Sequence, residues 1–420
     1  MTDETKIIKG AGGGPPKPPP PPYRAPDTLH SRSFATIQDL ISEGEIEGFA
    51  SASKEGLTKG TTAYNNASLK DVFLNDTPIL NASANSASPA TTDFNFQDVG
   101  FQSKFGTSNQ TAMTGIPAES RSPTAVGTTV TTSAPVTRQI TNTDVDAVIV
   151  TLTWPQIQVA EDDGDIRGDT IEYKIQVQYN SGGFTDIITT SVSGRTADAY
   201  ARDHRINITG AFPVDIRVVR VTADSTESAR VNAFQFTSIQ EVIDNSSTYP
   251  NSSYVSLRFD SKQFNSIPTR KFRIRGVKVR IPGAGASSSG TPTVDNATGR
   301  IVYPSGYIFN GVMGAATYTN CPAMCLLDLL TNTRYGLGNH ITDSNLDLFS
   351  FVAASKFANE EVDDGTGSGA KEARFSCNVN IQSPKEAFAA INDLAGVMRC
   401  MPIWSAGGIT ISQDKPTSAS

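Results

Sequence analysis

Reactive side chains are scarce in this sequence. Its 420 residues include four cysteines, three histidines and two tryptophans. Only 18% are charged, against about 25% in an ordinary globular chain. His30, His204 and His340 are far apart, and none stands beside a nucleophile motif. There is no G-x-S-x-G, H-E-x-x-H, phosphate-binding P-loop or Rossmann glycine pattern. No catalytic residue and no cofactor site is therefore assigned, and the chain is expected not to be an enzyme. Cys321, Cys325, Cys377 and Cys400 give one Cys-x3-Cys pair with two distant partners, unlike the tight Cys-x2-Cys knuckle of structural zinc sites. Their apolar neighbours Met324, Leu326, Met398 and Met401 point to buried free thiols, with a metal or cluster site as the competing reading. No metal ligand is assigned. No stretch approaches the roughly 18 to 20 apolar residues of a membrane span, and Met1 to Gly10 lacks an apolar signal core. The chain is expected to be made and folded in a cytoplasm, or to leave by lysis. A formal charge of −7 argues against a nucleic-acid-binding surface, which needs basic patches to displace counterions. It leaves room for a pore that DNA slides through without being bound.

Ser, Thr, Asn and Gly replace the missing charges, a composition common in β-rich proteins that bury surface in assemblies. At about 150 residues per domain the length implies two to four domains, and a hydrophobic fraction of 38% supplies several cores. Gly10 to Gly14 is flexible, and the proline run Pro15 to Pro22, interrupted by Lys17, is a stiff polyproline II rod. Such a leader is either a docking arm for a partner's groove or disordered. Glu43, Glu45 and Glu47 alternate and so share one solvated side of an extended strand. Asn75-Asp76 turns a strand pair over Asp71 to Leu80. Residues 81–92 and 106–135 read as surface loops, with Phe94, Phe96, Phe101 and Phe105 anchoring a strand between them. Ala147 to Trp154, Ile171 to Tyr179 and Asp215 to Val221 are strands by apolar content or strict alternation. They suggest a β-sandwich over about 155–235. The acidic run Glu161 to Asp169 does not fit a calcium-loop spacing and reads as a solvated loop. Lys271 to Arg280 carries five basic residues and reads as one strand whose basic face meets acidic neighbours, with a subunit boundary as one place for them.

The final third holds three helices. Cys321 to Gly338 is the most informative stretch: a helix apolar nearly all round, opened by Pro322 and closed by Gly336 and Gly338 through positive φ angles. A second helix starts near Asp343, with Leu346, Phe349, Val352 and Phe357 on one side. A third begins at a Ser383-Pro384-Lys385-Glu386 capping box and buries Phe388, Ile391, Leu394, Ala395 and Met398. Met401 to Trp404 and Ile409 to Ile411 form a hairpin around Gly407-Gly408. The fold class is mainly β, with an inserted β-sandwich and a C-terminal α+β part.

Several stretches, in this order, resemble the lambda-type siphophage tail tip protein J family of central tail hub and host specificity proteins. They are Asp39 to Gly48, Val72 to Pro78, Thr222 to Thr226, Glu241 to Asp244, Tyr249 to Asn251 and Asp260 to Phe264. Cys325 to Gly338, Cys377-Asn378, Met398 to Trp404 and Gln413 to Pro416 complete the set. The resemblance covers about 33–416. It implies baseplate-hub-like domains: an arm at 1–30, hub domain I at 31–154, the inserted sandwich at 155–235, a hub continuation at 236–300 and an α+β hub domain at 301–420. It also implies a homotrimer at the distal end of a non-contractile tail in the virion, assembled in the host cytoplasm. Such a hub closes the tube and opens for DNA release. Its expected partners are other tail tip and distal tail proteins, the end of the tape measure protein, a separate fibre or receptor-binding protein, and indirectly the host outer surface. Family members usually continue past this point, so receptor binding is not assigned to these residues.

Overall fold

A computed structural model describes residues 21–31, 34–244, 246–264, 266–383, 385–405 and 407–415. The chain divides into two compact units, one of residues 1–32 and 115–245, the other of 33–114 and 246–420.

The first unit is a sandwich of two antiparallel sheets. One sheet runs Thr185–Gly194, Asp169–Tyr179, Val214–Arg220 and Val136–Ile140. The other has Ala147–Trp154 between Tyr200–Asn207 and Gln235–Asp244, with Pro117–Ser120 and Thr124–Thr129 both pairing to Gln235–Asp244. Alternation sets the faces: Ile171, Tyr173, Ile175 and Val177 are buried while Glu172 is exposed. Trp154 fills the centre, 5.1 Å from Phe234 and 5.5 Å from Tyr173 between ring centroids. The sandwich is wider than 155–235. Two of its strands lie inside the stretch 106–135 that reads as loop. Thr124–Thr129 turns only Val126 toward the core, so its sequence shows no alternation. The Gly/Pro-rich arm falls outside the described residues up to 20. Its continuation is tied to the sandwich, where the Ala25 amide donates to the Ile166 carbonyl at 2.8 Å and buried Arg195 donates to the Ala25 carbonyl at 2.9 Å.

The second unit has two large cores among the described residues, besides a small cluster of Tyr307, Phe309 and Val352. In the first, Ser252–Asp260 lies between Phe34–Glu43 and Gly100–Phe105. Helices α1 (Ala50–Lys54) and α2 (Thr62–Leu69) cover Phe49, Tyr64, Leu74, Leu257 and Phe259. Asn75 and Asp76 both take positive φ, the left-handed pair that a tight hairpin needs.

The second core is built on α3 (Pro322–Thr331), α4 (Leu348–Ala358) and α5 (Ala387–Val397). Pro322 opens α3 without losing a helical hydrogen bond, and Met324, Leu326, Leu327 and Leu330 are buried. The exit from α3 differs in mechanism from the sequence reading. Neither Gly336 nor Gly338 has positive φ. Their backbone instead crosses the helix end so closely that a Cβ on Gly336 would lie 2.2 Å from the Leu329 carbonyl oxygen, and one on Gly338 2.2 Å from that of Thr331. The Leu337 amide donates to Leu329 at 2.9 Å in the same crossing.

Two helix faces also shift. α4 begins at Leu348, after a separate turn at Asp343–Asn345. Its buried face is therefore Phe351, Val352, Ala354 and Ser355, and Phe349 points out against Phe309. α5 begins at Ala387 with Glu386 at the N-cap and no capping side-chain bond, so the expected capping box does not form. Pro384 lies outside the described residues.

Candidate assembly surface

The basic run after Arg270 shows how this unit spends its charge. It is three short strands rather than one: Arg270–Phe272, Ile274–Val277 and Val279–Pro282, each pairing with a different partner. Acidic neighbours come from the same unit of the same chain. Arg270 binds Asp39 at 2.9 Å, Arg273 binds Asp71 at 2.7 Å, Lys278 binds Glu45 at 2.7 Å and Arg280 grips Asp343 through two 2.7 Å bonds. Arg334, on the exit from α3, pairs with Glu43 and donates to Ser252 at 2.9 Å. Glu43 and Glu45 thus pair within the chain while their side chains stay 42% and 39% exposed, and none of these basic residues needs an acid from another subunit. Beside them Tyr335 donates to Asp328 at 2.5 Å. Burial raises both groups above their ordinary pKa values, the phenol further held up by the adjacent carboxylate.

Among the described residues the groups with possible chemistry do not converge on one site. His204 is buried in the sandwich, its Nε2 2.8 Å from the Tyr173 hydroxyl. Burial takes this imidazole down to about 4 and the phenol up to about 12. His30 and His340 are exposed in separate units. Glu161, Asp163 and Asp165 do approach one another, within 4.8 Å. Arg167 lies 3.2 Å from Glu161 and 3.6 Å from Asp165 and supplies the balancing charge. In the second unit a cavity of about 390 Å³ is bordered by Glu47, Pro282, Pro292, Asn296 and Tyr318, which include no nucleophile with an adjacent base.

Apolar exposure is the concentrated feature. Of sixteen exposed large hydrophobic side chains among the described residues, seven lie in residues 379–404: Val379, Ile381, Phe388, Val397, Met401, Ile403 and Trp404. Phe388 is 76% exposed, and Met401 and Trp404 are each 67% exposed. A monomer in water gains nothing from leaving such side chains wet, so this stretch is the candidate contact region among the described residues. The scaffold beneath is firm. Leu394, Ala395 and Met398 anchor α5 and Ile411 anchors the hairpin in one core. The hairpin pairs Cys400–Ser405 with Gly408–Gln413. It is bound to α4, where the Asp347 amide donates to the Ile409 carbonyl at 2.9 Å and the Thr410 hydroxyl donates to the Asp347 carboxylate at 3.0 Å. Cys400–Ser405 pairs on one side only among the described residues, leaving a strand edge open beside Met401 and Ile403.

Sequence comparison places this surface in context. Residues 120–245 match the family model for the FNIII-A domain of tip attachment protein J. Tip attachment protein J of Escherichia phage SECphi4 is 31% identical over 94% of this chain and 31% of its own length. That of Escherichia phage SECphi27 is 29% identical over 84% of this chain and 28% of its own. The chain is a relative of tip attachment protein J. It spans about a third of the length of the protein J relatives it matches. The spike protein P1 of bacteriophage PM2, stem and receptor-binding domain, aligns with 56% of this chain and 99% of its own at 12% identity, with a TM-score of 0.20.

Sequence reasoning missed the surface because periodicity put Phe388 on the buried stripe of α5. Burial in fact rises along that stripe, from exposed Phe388 through half-buried Ile391 to buried Leu394 and Met398. A hairpin with Met401, Ile403 and Trp404 in one short strand was the available signal, since alternation can bury only part of that set.

Proposed function

We propose that this chain is a structural component of the phage tail tip, the hub region that closes the distal end of a non-contractile tail and opens for DNA release. It acts as a homotrimer that contacts other tip proteins and the end of the tape measure protein, and DNA passes it without specific binding. The observation that carries the reading is the apolar stretch 379–404, raised on a firm α-helical core in a relative of tip attachment protein J. Assembly needs this kind of surface, whereas catalysis needs converging polar groups. The chain is accordingly read as non-enzymatic, located in the virion at the tail tip after assembly in the host cytoplasm.

The test is complementation of a phage whose copy of this gene is disrupted. Phe388→Glu with Trp404→Glu should leave a folded, soluble chain and cut its incorporation into tails at least tenfold. Normal tails carrying the double variant would refute the role of this surface. A second reading, direct receptor attachment, is suggested by the word "attachment" in the relatives' name. It predicts that the purified chain binds host cells, and we expect no such binding.

A further inference from the structure

Asn310-Gly311 is the one Asn-Gly pair in the sequence, and it stands in a loop of the second unit just before the strand Met313–Thr317. We propose that Asn310 is a modification site: its side-chain amide is lost through a cyclic imide with the Gly311 backbone nitrogen, leaving aspartate or isoaspartate. Water is the only co-reactant. This inference does not depend on the tail-tip reading.

The geometry of the loop favours this step. Asn310 is exposed, and its Oδ1 accepts the Val312 amide at 2.9 Å. The turn closed by that bond contains the Gly311 amide, so the attacking nitrogen and the Asn310 Cγ are held in one small ring. The Val312 N–H already points at the oxygen on which negative charge develops during attack, the placement that stabilises an oxyanion. The Gly311 amide donates no hydrogen bond of its own among the described residues. Gly311 also has no Cβ to obstruct ring closure, and it takes a φ of +87°. Other asparagines share only part of this arrangement. Asn332 accepts the Arg334 amide at 2.9 Å in the same kind of turn, and Asn85 accepts the Ala87 amide at 3.0 Å. Each is followed by a residue with a Cβ, Thr333 and Ser86.

In the step itself, solvent base takes the Gly311 amide proton and the nitrogen bonds to the Asn310 Cγ. The Cγ–Nδ2 bond then breaks, and Nδ2 leaves as ammonia with a proton from water. Water opens the cyclic imide at either carbonyl, giving aspartate from one and isoaspartate from the other. Nothing is oxidised or reduced. The new carboxylate stands beside Ile308, Val312 and Phe349, which are 59%, 60% and 59% exposed. A Cβ on Gly311 would lie 3.9 Å from the Phe349 ring, which packs edge-on against Phe309. A neutral loop tip among apolar side chains thereby becomes an anionic one.

The experiment incubates the full folded chain in mildly alkaline buffer and maps its peptides by mass spectrometry, with isoaspartate identified by enzymatic methylation. The expected result is conversion at Asn310 at least tenfold faster than at Asn332 or Asn85, with isoaspartate as the main product. Asn310→Gln should leave that peptide unchanged, because the longer side chain would have to close a larger ring. Equal rates at Asn310 and Asn332 would overturn the proposal, as would aspartate forming at 310 without isoaspartate. Mapping on the wild type decides the matter even if the Asn310→Gln chain does not fold.

Discussion

His204 is the residue whose environment most clearly sets a pH response. Its imidazole stays neutral against the Tyr173 hydroxyl, with burial holding its pKa at about 4 rather than the ordinary 6.5. Above pH 6.5 both folded and unfolded chains carry it neutral, and it adds no pH dependence. Between 6.5 and about 4 the unfolded chain takes a proton that the folded chain refuses, so stability falls as pH falls. The full loss from this group is roughly 3 kcal/mol. Denaturant titrations of wild type and His204→Gln across pH 4 to 8 should show the variant with the flatter profile in that window. Parallel profiles would remove His204 from the account. Gly336 makes a second prediction at this scale. A Cβ there meets backbone at 2.2 Å, so Gly336→Ala should cost about 3 kcal/mol. Exposed Gly396 in α5 has nothing within 4 Å of a Cβ and no positive φ, so Gly396→Ala should instead stabilise by about 0.5 kcal/mol. Thermal melts of the two variants test both signs. The sequence named Gly336 as special but attached the wrong reason to it, because close approach between residues 329 and 336 is invisible without the chain path.

At the scale of elements, α3 was legible and its surroundings were not. Pro322 at the first turn and apolar residues on nearly every side mark a buried helix from sequence alone. Leu330 is 1% exposed in the core that α3, α4 and α5 share, so Leu330→Asp should cost more than about 4 kcal/mol and leave no native chain. A soluble Leu330→Asp chain with wild-type near-ultraviolet circular dichroism would contradict the core assignment. Strands with one wet face, such as Ile171 to Tyr179, were equally plain because period two is written in them. The run Lys271 to Arg280 was misread as one strand because its alternation continues through two breaks. What divides it is the choice of partner, Val72–Leu74, then Ile46–Phe49, then Met313–Thr317, and the farthest pairing, Ile46 with Val277, spans 231 residues. Charge pairing across such distances likewise hid the real partners of Glu43 and Glu45.

For the whole molecule, the sandwich shows where composition misleads. Thr124–Thr129 contributes a strand from a Ser/Thr-rich stretch because pairing to Gln235–Asp244 supplies its hydrogen bonds and Val126 supplies its contact with the core. The apolar stretch 379–404 shows the opposite: side chains that read as core remain outside it. In an assembled tip this stretch would be covered by a neighbouring subunit. The most direct measurement is a cryo-EM reconstruction of tails from the phage that encodes this chain. We predict that Phe388, Met401 and Trp404 are buried against a neighbouring subunit at the distal end of the tube. A tip in which those three side chains face solvent, or from which the chain is missing, would contradict it.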